Sequence, residues 1–484
     1  MKILLINPSF ESGSGRSVSY GEPLGLLYIA AAIERTLRHQ VEIIDCVADV
    51  TLHRKIGNGC TRYGMSAETL CGMLAGKQFD VAGITCTNMT DESTCLQRFI
   101  AIVKAFIPEV PFIGGGPEAT LEYKRYCRSG LLDYIIVGEG EAAIVELLDA
   151  LENGSPLAAV HSLVYRGEDG VLRRNPEAPP CDIGALPRPA RHLIPFTDYL
   201  RHRANAYYFR SPAAAILTSR ACPYECRFCN VQVIWGRRWR ARSAPDVVDE
   251  MEELIRDYGI REFLIQDDNF MVDGTRVEAI CDEMIRRGLK VSWHVQAGMH
   301  VAHLNRGIID KLIASGLYSF CVQLETCSLK TLRYINKRVD LQHARELLTY
   351  ANRRGLFTQS NIIIGFHFET KEDIDESIAV AESLGIDQIN YILAIPKPHT
   401  SMYRDWLREG LIDGSSPVRM PMATTHFSGA ELLALCTRAN RRHYMIRFRQ
   451  LFGSRRFFTE LLPKVASPGR LRYVCRRLFQ EIVS

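Results

Sequence analysis

The chain has 484 residues, of which 47% are apolar, and Lys and Arg outnumber Asp and Glu by only 59 to 55. At about 100 to 200 residues per domain, this length predicts two or three domains, each with a core of its own. The composition excludes the disordered and fibrous classes, and so weak a net charge argues against nucleic acid as a partner.

The N-terminus predicts no targeting segment. Its four-residue apolar run is shorter than the core of a signal peptide, about 7 to 15 residues, and no apolar run reaches the roughly 18 residues that span a bilayer. We therefore expect a cytoplasmic protein without a transmembrane segment. Fifteen cysteines are many for a reducing compartment, so metal or redox chemistry is expected for some of them.

Short apolar strands alternate with helices over the first 150 residues. The predicted strands are 2–8, 41–45, 80–85, 110–113 and 134–137, and the predicted helices are 24–37, 67–74, 96–106 and 141–151. This alternation predicts a doubly wound, Rossmann-like α/β domain over residues 1–154. Such folds bind ligands at the carboxyl ends of their strands. Asn7, Thr85, Gly114 and Gly138 are expected there.

Residues 155–207 are rich in proline and predict a linker with a small hairpin at 160–172. A second alternation follows, with strands predicted at 213–219, 262–266, 291–296, 319–324, 360–365 and 388–395, and helices such as 245–257 and 371–384. Six β/α units predict a partial (β/α)6, TIM-like barrel over residues 208–405. Catalytic groups are expected at the carboxyl ends of its strands. Residues 406–484 predict a small helical C-terminal region.

Three closely spaced cysteines, Cys222, Cys226 and Cys229, follow the first predicted barrel strand. Their C-x3-C-x2-C spacing suits an iron–sulfur cluster, in which three ligands on four irons leave one iron open to another molecule. The alternative is a structural zinc loop. Structural zinc is almost always four-coordinate, and no second Cys or His pair lies near in the sequence.

With an aromatic residue, Phe228, before the last cysteine, this motif resembles that of the radical S-adenosylmethionine (SAM) superfamily. The resemblance implies a [4Fe–4S] cluster on the three cysteines, whose open iron is chelated by SAM. It further implies that electron transfer cleaves SAM to a 5′-deoxyadenosyl radical, which abstracts hydrogen from the substrate.

Other predicted strand ends agree with the resemblance. Asp267 and Asp268 stand where the family places the motif that binds the SAM amino group, and Glu325 matches the fourth-strand Glu. Gly365 and Glu369 match the fifth-strand Gly-x-Pro-x-Glu-Thr, although His367 replaces its proline. The resemblance therefore implies SAM binding by these five residues and by Phe228. Each carboxylate alone would be read as a helix cap or a surface charge.

The N-terminal domain is similar to the cobalamin-binding domain fused to a subgroup of these enzymes. The similarity rests on Thr85 and Thr87, on the run Gly114, Gly115 and Gly116, and on Glu139 within Gly-Glu-Gly-Glu. It implies that these residues bind cobalamin. No Asp-x-His-x-x-Gly motif occurs, and His39 and His53 are the only histidines before residue 150, so a histidine ligand on the lower face of cobalt is not expected.

Together these features predict a cobalamin-dependent radical SAM methyltransferase that methylates an unactivated carbon of a small-molecule natural product, tetrapyrrole or lipid. The main alternative is a cyclase or oxidoreductase with the same cofactors and no methyl transfer. A methylthiotransferase and a redox or cobalamin sensor are further alternatives. The helical C-terminus argues against the former, and the carboxylates at strand ends argue against the latter.

The sequence identifies no catalytic acid, base or nucleophile. An external electron donor of flavodoxin or ferredoxin type is expected as a partner. The region 437–484 contains twelve Lys and Arg residues against two Glu. Such an excess is most often a solvated face, and beyond that it mildly favours an anionic or lipid-like substrate and peripheral contact with a membrane.

Overall fold

The computed structural model describes residues 1–13, 21–57, 60–87, 93–201, 212–414 and 421–452. The chain divides into two compact units. The first consists of Met1–Asn205 with Val233–Gly236, and the second of Ala206–Gln232 with Arg237–Ser484. The domain limits at residues 154, 207 and 405 stay predictions.

The first unit is built on a seven-stranded sheet and a small three-stranded sheet. The strands are β1 (Lys2–Asn7), β2 (Phe10–Gly13), β3 (Gln40–Asp45), β4 (Arg54–Lys55), β5 (Cys60–Tyr63), β6 (Val81–Thr85), β7 (Phe112–Gly115), β8 (Tyr134–Ile136), β9 (Leu163–Arg166) and β10 (Leu172–Arg174). The large sheet has the order β10-β9-β8-β7-β6-β1-β3 and the small one β2-β5-β4. Strands β3, β1, β6, β7 and β8 run parallel.

The predicted doubly wound fold is confirmed, with one change in strand order. Counted over the parallel strands alone, the order is 2-1-3-4-5, the flavodoxin-like variant rather than the Rossmann order. The chain therefore reverses its winding between β1 and β6, and the crevice expected to bind ligands lies where Asn7 and Thr85 end these strands. The antiparallel hairpin of β9 and β10 extends this sheet from within the segment predicted as a linker.

Helices cover the sheet because its central strands are apolar on both faces. In β1, Leu4 and Ile6 are completely buried, and Ile3 and Leu5 are at most 2% exposed. The helices of this half are α1 (Leu24–Glu34), α2 (Ala67–Leu74), α3 (Ser93–Phe106), α4 (Pro117–Ser129), α5 (Glu141–Asn153) and α6 (Phe196–Arg201). Short 3-10 turns occur at Val50–Leu52, Leu157–Ala159, Ile183–Ala185 and Arg191–Leu193.

The second unit is an open, all-parallel sheet, as the predicted partial barrel requires. Its strands are β11 (Ala213–Ile216), β12 (Ser219–Arg220), β13 (Arg240–Ala241), β14 (Glu262–Ile265), β15 (Ser292–Met299), β16 (Leu317–Glu325), β17 (Phe357–Ile364) and β18 (Gln388–Leu393). The six-stranded sheet has the order β11-β14-β15-β16-β17-β18, and β12 pairs with β13 apart from it. In the described residues β11 and β18 are its two edges, so the barrel is not closed.

Helices follow these strands, and most of them begin at a side-chain cap; the end of the first of them belongs to the first unit. They are α7 (Val231–Trp235), α8 (Ala244–Tyr258), α9 (Gly274–Arg286), α10 (Arg306–Ala314), α11 (Leu329–Tyr334), α12 (Leu341–Arg353), α13 (Lys371–Ser383), α14 (Ser401–Arg408) and α15 (Gly429–Phe452), with 3-10 turns at Phe270–Val272 and Val301–His303. Thr370 and Asp373 form a reciprocal capping box at α13. Ser243 caps α8 by accepting from the Asp246 N–H.

Helix α15 confirms the predicted helical C-terminus as far as residue 452, and it covers the edge strand β18. Asn440 accepts a hydrogen bond from the Tyr391 N–H at 3.0 Å and donates one to the Tyr391 carbonyl at 2.9 Å. His443 Nε2 accepts from the Ile389 N–H at 3.0 Å. Side chains of α15 thus form hydrogen bonds with backbone groups of β18 that would have no partner at an exposed sheet edge. The predicted basic residues beyond 452 lie outside the described residues.

Candidate active site

The three cysteines lie in one loop at the carboxyl end of β11, directly after β12. Each is partly buried, and the Cys229 N–H donates to the Cys226 carbonyl at 3.1 Å to form a turn. Ala221, immediately before Cys222, has φ +69°. A residue with a Cβ rarely adopts this conformation, and such strain concentrates at functional sites.

An ionic clamp holds the middle of this loop. Arg227 donates to Asp405 on α14 at 2.5 Å, and its guanidinium lies over the Tyr334 ring at 5.0 Å. Tyr334 donates to the same Asp405 oxygen at 2.7 Å. The Arg227 backbone also accepts from the Met402 N–H at 2.9 Å. Two helices from later in the chain therefore fix the conformation between Cys226 and Cys229.

Aromatic and amide side chains surround the loop on another side. The Tyr224 hydroxyl bonds to His303, and its ring stacks on His300 with centroids 5.1 Å apart. Asn269 Nδ2 donates to Cys222 Sγ at 3.4 Å, whereas Asn269 Oδ1 is buried and bonds to nothing in the described chain. A cavity of about 400 Å³ lies against Cys226 and is lined by Tyr224, His300 and Lys337 among others.

The donor set fits an iron–sulfur cluster. Burial raises the pKa of the Cys226 thiol to about 11, although the Lys337 charge opposes this. Burial also raises the pKa of Cys229. These thiols would stay protonated at neutral pH without a cation, and iron supplies the positive charge that makes thiolates stable. Such sites release protons on metal binding.

The two aspartates predicted to bind SAM differ in their surroundings. Asp267 is 2% exposed and accepts from the Thr218 N–H at 2.6 Å, the Thr218 hydroxyl at 2.5 Å and the Ser219 hydroxyl at 2.5 Å. Asp268 is only half-buried, and burial followed by the Asp267 charge raises its pKa to about 6. Its charge interacts with Cys229. Asp267 therefore joins β14 to the start of the cysteine loop, and Asp268 faces that loop.

The other predicted SAM residues lie at neighbouring strand ends. Glu325 ends β16 with φ +66° and pairs with Lys337 at 3.1 Å. Glu369 is completely buried and accepts from the Gly365 and Phe366 N–H groups at 2.8 and 3.0 Å, so it shapes the turn after β17. Burial raises its pKa to about 7.

Gly365 and Phe228 contact the rest of the second unit closely. Gly365 has φ +82°, and a Cβ there would meet the Leu432 side chain of α15 at 3.1 Å. Phe228 packs against a cluster that contains Ile363, Phe366 and Trp406. The structure thus brings Phe228, Asp268, Glu325 and Gly365 to one edge of the sheet.

In the first unit, the predicted glycine run has two distinct roles. Gly116 has φ +97°, and a Cβ would meet the Cys86 carbonyl at 2.9 Å; a Cβ on Gly114 would meet the Leu132 side chain at 2.3 Å. At Gly115 a Cβ would meet nothing within 4 Å. The fold therefore requires glycine at 116, and at 114 a larger residue would displace the Leu132 side chain, while Gly115 leaves open space at the end of β7, which fits a bulky ligand.

The remaining residues predicted to bind cobalamin lie at the carboxyl edge of the large sheet or hold a loop beside it. Thr85 ends β6 and lies against Gly116, and Thr87 is exposed. Glu139 accepts from the Cys181 N–H at 2.8 Å. Of the two early histidines, His39 precedes β3 and so lies at the opposite edge, while His53 packs against Tyr63 of the small sheet.

Sequence reasoning missed two buried carboxylates at the carboxyl edge of the large sheet. Asp45 ends β3 and accepts from Asn7 at 2.8 Å and from Tyr199; burial raises its pKa to about 6. Glu118 accepts from Arg125 at 2.6 Å and Tyr126 at 2.8 Å. Asp45 ends a predicted strand, which could have singled it out, whereas helix α4, which carries Glu118, was not predicted.

Two sequence families match the chain. The radical SAM superfamily matches residues 216–381, and the B12 binding domain matches residues 15–148. The chain is 30% identical over 455 residues to an uncharacterised methyltransferase of Pyrococcus horikoshii, and the match covers 91% of each protein. It is 22% identical over 410 residues to the anaerobic magnesium-protoporphyrin IX monomethyl ester cyclase of Rubrivivax gelatinosus, covering 84% of this chain and 70% of the relative.

A solved structure shares the fold. The radical S-adenosylmethionine methyltransferase TsrM from Kitasatospora setae, solved with a tryptophan substrate and a SAM analogue, superposes with a TM-score of 0.67 at 20% identity. The match covers 84% of this chain and 76% of that one.

The second unit is an open α/β barrel with three cysteines in one loop at its carboxyl edge, which is the architecture of an iron–sulfur enzyme. The doubly wound domain before it is a second, cofactor-binding unit. The chain belongs to the radical SAM superfamily, in the methyltransferase branch that carries a B12 binding domain. Its cofactors are those predicted: a [4Fe–4S] cluster, SAM and cobalamin. In the part of the chain that the structure describes, no helix is long and apolar enough to cross a membrane.

Proposed function

We propose that this enzyme methylates an unactivated carbon of a small molecule, with Cys222, Cys226 and Cys229 as the ligands of the cluster. The observation that carries the proposal is the loop itself: three partly buried thiols at the carboxyl end of β11, with Asp268 and Asn269 beside them. In this family the cluster supplies the electron that cleaves SAM, and cobalamin carries the methyl group.

The chain's own residues have separate tasks in this proposal. Asp268 and Glu325 bind SAM in this proposal. Asp268 is a half-buried carboxylate that can neutralise the SAM ammonium, and Glu325 ends β16, two strands from β14 in the same sheet. Asp267 and Glu369 position the loops, since their oxygens already accept hydrogen bonds from the chain. Gly365 and Phe228 shape the surface against SAM. Apolar packing around Phe228 covers one side of the loop.

The open space at Gly115 supports cobalamin binding at the carboxyl edge of the first unit. Thr85, Thr87, Gly114 and Gly116 shape that edge, and Glu139 fixes the loop behind it. His39 precedes β3 at the opposite edge of the sheet and His53 packs against Tyr63 in the small sheet, so neither of these two histidines would reach a cobalamin bound at the carboxyl edge.

The first test is anaerobic reconstitution with iron, sulfide and hydroxocobalamin, followed by metal analysis. We expect about four irons and one cobalt per chain, with a spectrum lacking a histidine–cobalt bond. Cys226→Ala should lose the cluster and all SAM cleavage, while Cys281→Ala, at a buried cysteine of α9, should keep both. Four irons without cobalt would contradict the proposal.

The second test separates methylation from the cyclase alternative, which the relatives also include. SAM with a trideuterated methyl group is incubated with reductant and candidate substrates. Transfer of a CD3 group to carbon supports methylation, whereas a product that has lost hydrogens and gained no label supports cyclisation or oxidation. A flavodoxin- or ferredoxin-type donor is proposed as the reductant, with a chemical reductant as the control.

A further inference from the structure

Neutral amide side chains line one face of the open sheet in the second unit. In β16, Phe320, Val322 and Leu324 are at most 1% exposed, whereas Gln323, which points to the other face, is only half-buried. Helices α10, α12 and α13 pack against β16 and β17. The apolar face therefore lies under the helices, and the amide face is turned away from them.

Three of these amides form a row across neighbouring strands. We call Gln323 of β16, Asn361 of β17 and Asn390 of β18 the amide row. Asn390 donates to Asn361 Oδ1 at 3.1 Å, and Asn361 and Gln323 both point at the Cys321 sulfur, at 3.9 and 3.7 Å. All three are half-buried.

The amide row is only partly satisfied by the protein, although Asn390 Oδ1 also accepts from Gln388 at 3.1 Å. A carboxamide offers two donors and two lone pairs on its oxygen, and sulfur is a weak acceptor. Gln323 makes one further bond, to the Gln296 carbonyl at 3.3 Å, and its Oε1 accepts none in the described part of the chain. The side-chain N–H groups of Gln323 and Asn361, whose contacts are 3.3 Å or longer, can therefore donate to another molecule without breaking a strong bond first.

The row lies directly below the proposed SAM residues. Gln323 is two residues before Glu325 and Asn361 is four residues before Gly365, on strands that rise about 3.3 Å per residue. A group held on the row therefore lies roughly 7 to 13 Å below these strand ends, within reach of chemistry there.

In the described residues no charged side chain is hydrogen-bonded to the row, and Lys397, whose charge acts on Cys229, follows β18 seven residues beyond Asn390. Its hydrogen-bond partners in the described chain are other amides, a backbone carbonyl and the Cys321 thiol. The nearby Lys337 is already paired with Glu325, and burial lowers the pKa of His294 to about 3, which keeps it uncharged. An anion here would lack a partner, and a hydrocarbon would leave the amides unsatisfied.

We propose that the amide row binds the part of the substrate beside the reacting carbon, and that this part is uncharged and carries both a hydrogen-bond donor and an acceptor, as a carboxamide or lactam does. This inference rests on the proposed function of the site. It departs from the anionic or lipid-like substrate expected from the basic C-terminus, where Arg442 and Arg447 pair with Glu382 and Asp387.

The test uses three matched probes on the anaerobic, full-length holoenzyme with S-adenosylhomocysteine added: 4-fluorobenzamide, 4-fluorobenzoate and 4-fluorotoluene. They differ only in an amide, a carboxylate or a methyl group, and fluorine NMR reports their binding. We expect the benzamide to bind about tenfold more tightly than either of the others, as one added hydrogen bond allows.

Asn361→Leu should weaken benzamide binding about tenfold without weakening fluorotoluene binding. Ile362→Val, at a buried residue that points to the opposite face, is the control and should change neither. Equal or tighter binding of benzoate or fluorotoluene, no measurable benzamide binding, or an unchanged Asn361→Leu variant would each overturn the inference. Failure of the proposed function is read separately, because these measurements involve neither SAM cleavage nor methyl transfer.

Discussion

The clamp between Arg227 and Asp405 predicts that a residue far from the cysteines in sequence controls cluster retention. Replacing Asp405 by Ala removes the acceptor of the Arg227 bond at 2.5 Å and the Tyr334 bond at 2.7 Å. Its third partner, Arg408, is 72% exposed and stays solvated. The Tyr334 hydroxyl would then lack its acceptor, and Arg227 would keep only its contact with Tyr334.

The magnitude follows from these contacts. The Asp405 side chain is 7% exposed and that of Arg227 is 36% exposed. Breaking a fully buried pair costs about 3 to 5 kcal/mol, and water reaching Arg227 reduces this to about 1 to 2 kcal/mol. An unsatisfied Tyr334 hydroxyl adds about 1 to 2 kcal/mol. We expect the second unit to lose about 3 kcal/mol of unfolding free energy.

Two measurements check this prediction. Anaerobic urea unfolding gives the stability of the protein, and the rate of iron loss to a chelator gives the retention of the cluster. Tyr334→Phe should reproduce only the smaller, hydroxyl part of the effect. Asp375→Ala, which breaks the exposed pair with Lys371, should change stability by no more than about 0.5 kcal/mol. The reasoning is refuted if Asp405→Ala releases iron no faster than Asp375→Ala does.

Three further predictions concern other parts of the chain. Burial raises the pKa of Glu118 to about 7 despite its bonds to Tyr126 and Arg125; folding thus favours the protonated form, and the first unit should lose about 3 kcal/mol of stability as pH rises from about 4 to about 7. Glu118→Gln should flatten this part of the pH profile of unfolding, and an unchanged profile would contradict the assignment. Gly116→Ala, at φ +97° against the Cys86 carbonyl, should destabilise the first unit by about 2 kcal/mol. Gly115→Leu should keep thermal stability but weaken cobalamin binding measured by absorbance, and the reverse pattern would refute the separation of roles. Asn440→Ala should cost about 1 to 2 kcal/mol because it unpairs the Tyr391 N–H and leaves the Tyr391 carbonyl with only the Cys436 thiol as a donor. Arg441→Ala on an exposed position of the same helix serves as its control in the same urea titration.

Some features of the active site were readable from the sequence because they are local. The cysteine spacing lies within eight residues of one loop, so no tertiary contact is needed to recognise it. Alternating apolar strands and amphipathic helices likewise predicted most elements of both sheets. The helix Pro117–Ser129 was not predicted because its charged and aromatic residues interrupt the helical spacing of apolar residues. The two-residue strands were not predicted because they are too short to show an alternating pattern.

The roles of individual carboxylates were decided by tertiary structure. Asp267 and Asp268 are adjacent and chemically identical, yet the first is enclosed by Thr218 and Ser219 from another strand while the second stays half-exposed. Glu369 is similarly enclosed by the turn after β17.

The sequence by itself determined the cysteine loop and the two alternations of strands and helices, because these depend on local spacing and on the period of apolar residues, and its resemblance to the radical SAM superfamily implied the cofactors. Only the tertiary structure decided the flavodoxin-like strand order, the Arg227–Asp405 clamp, the cover that α15 places over β18, and the amide row. Each of these joins residues from distant parts of the chain, and such pairing depends on packing and burial rather than on any pattern of neighbouring residues.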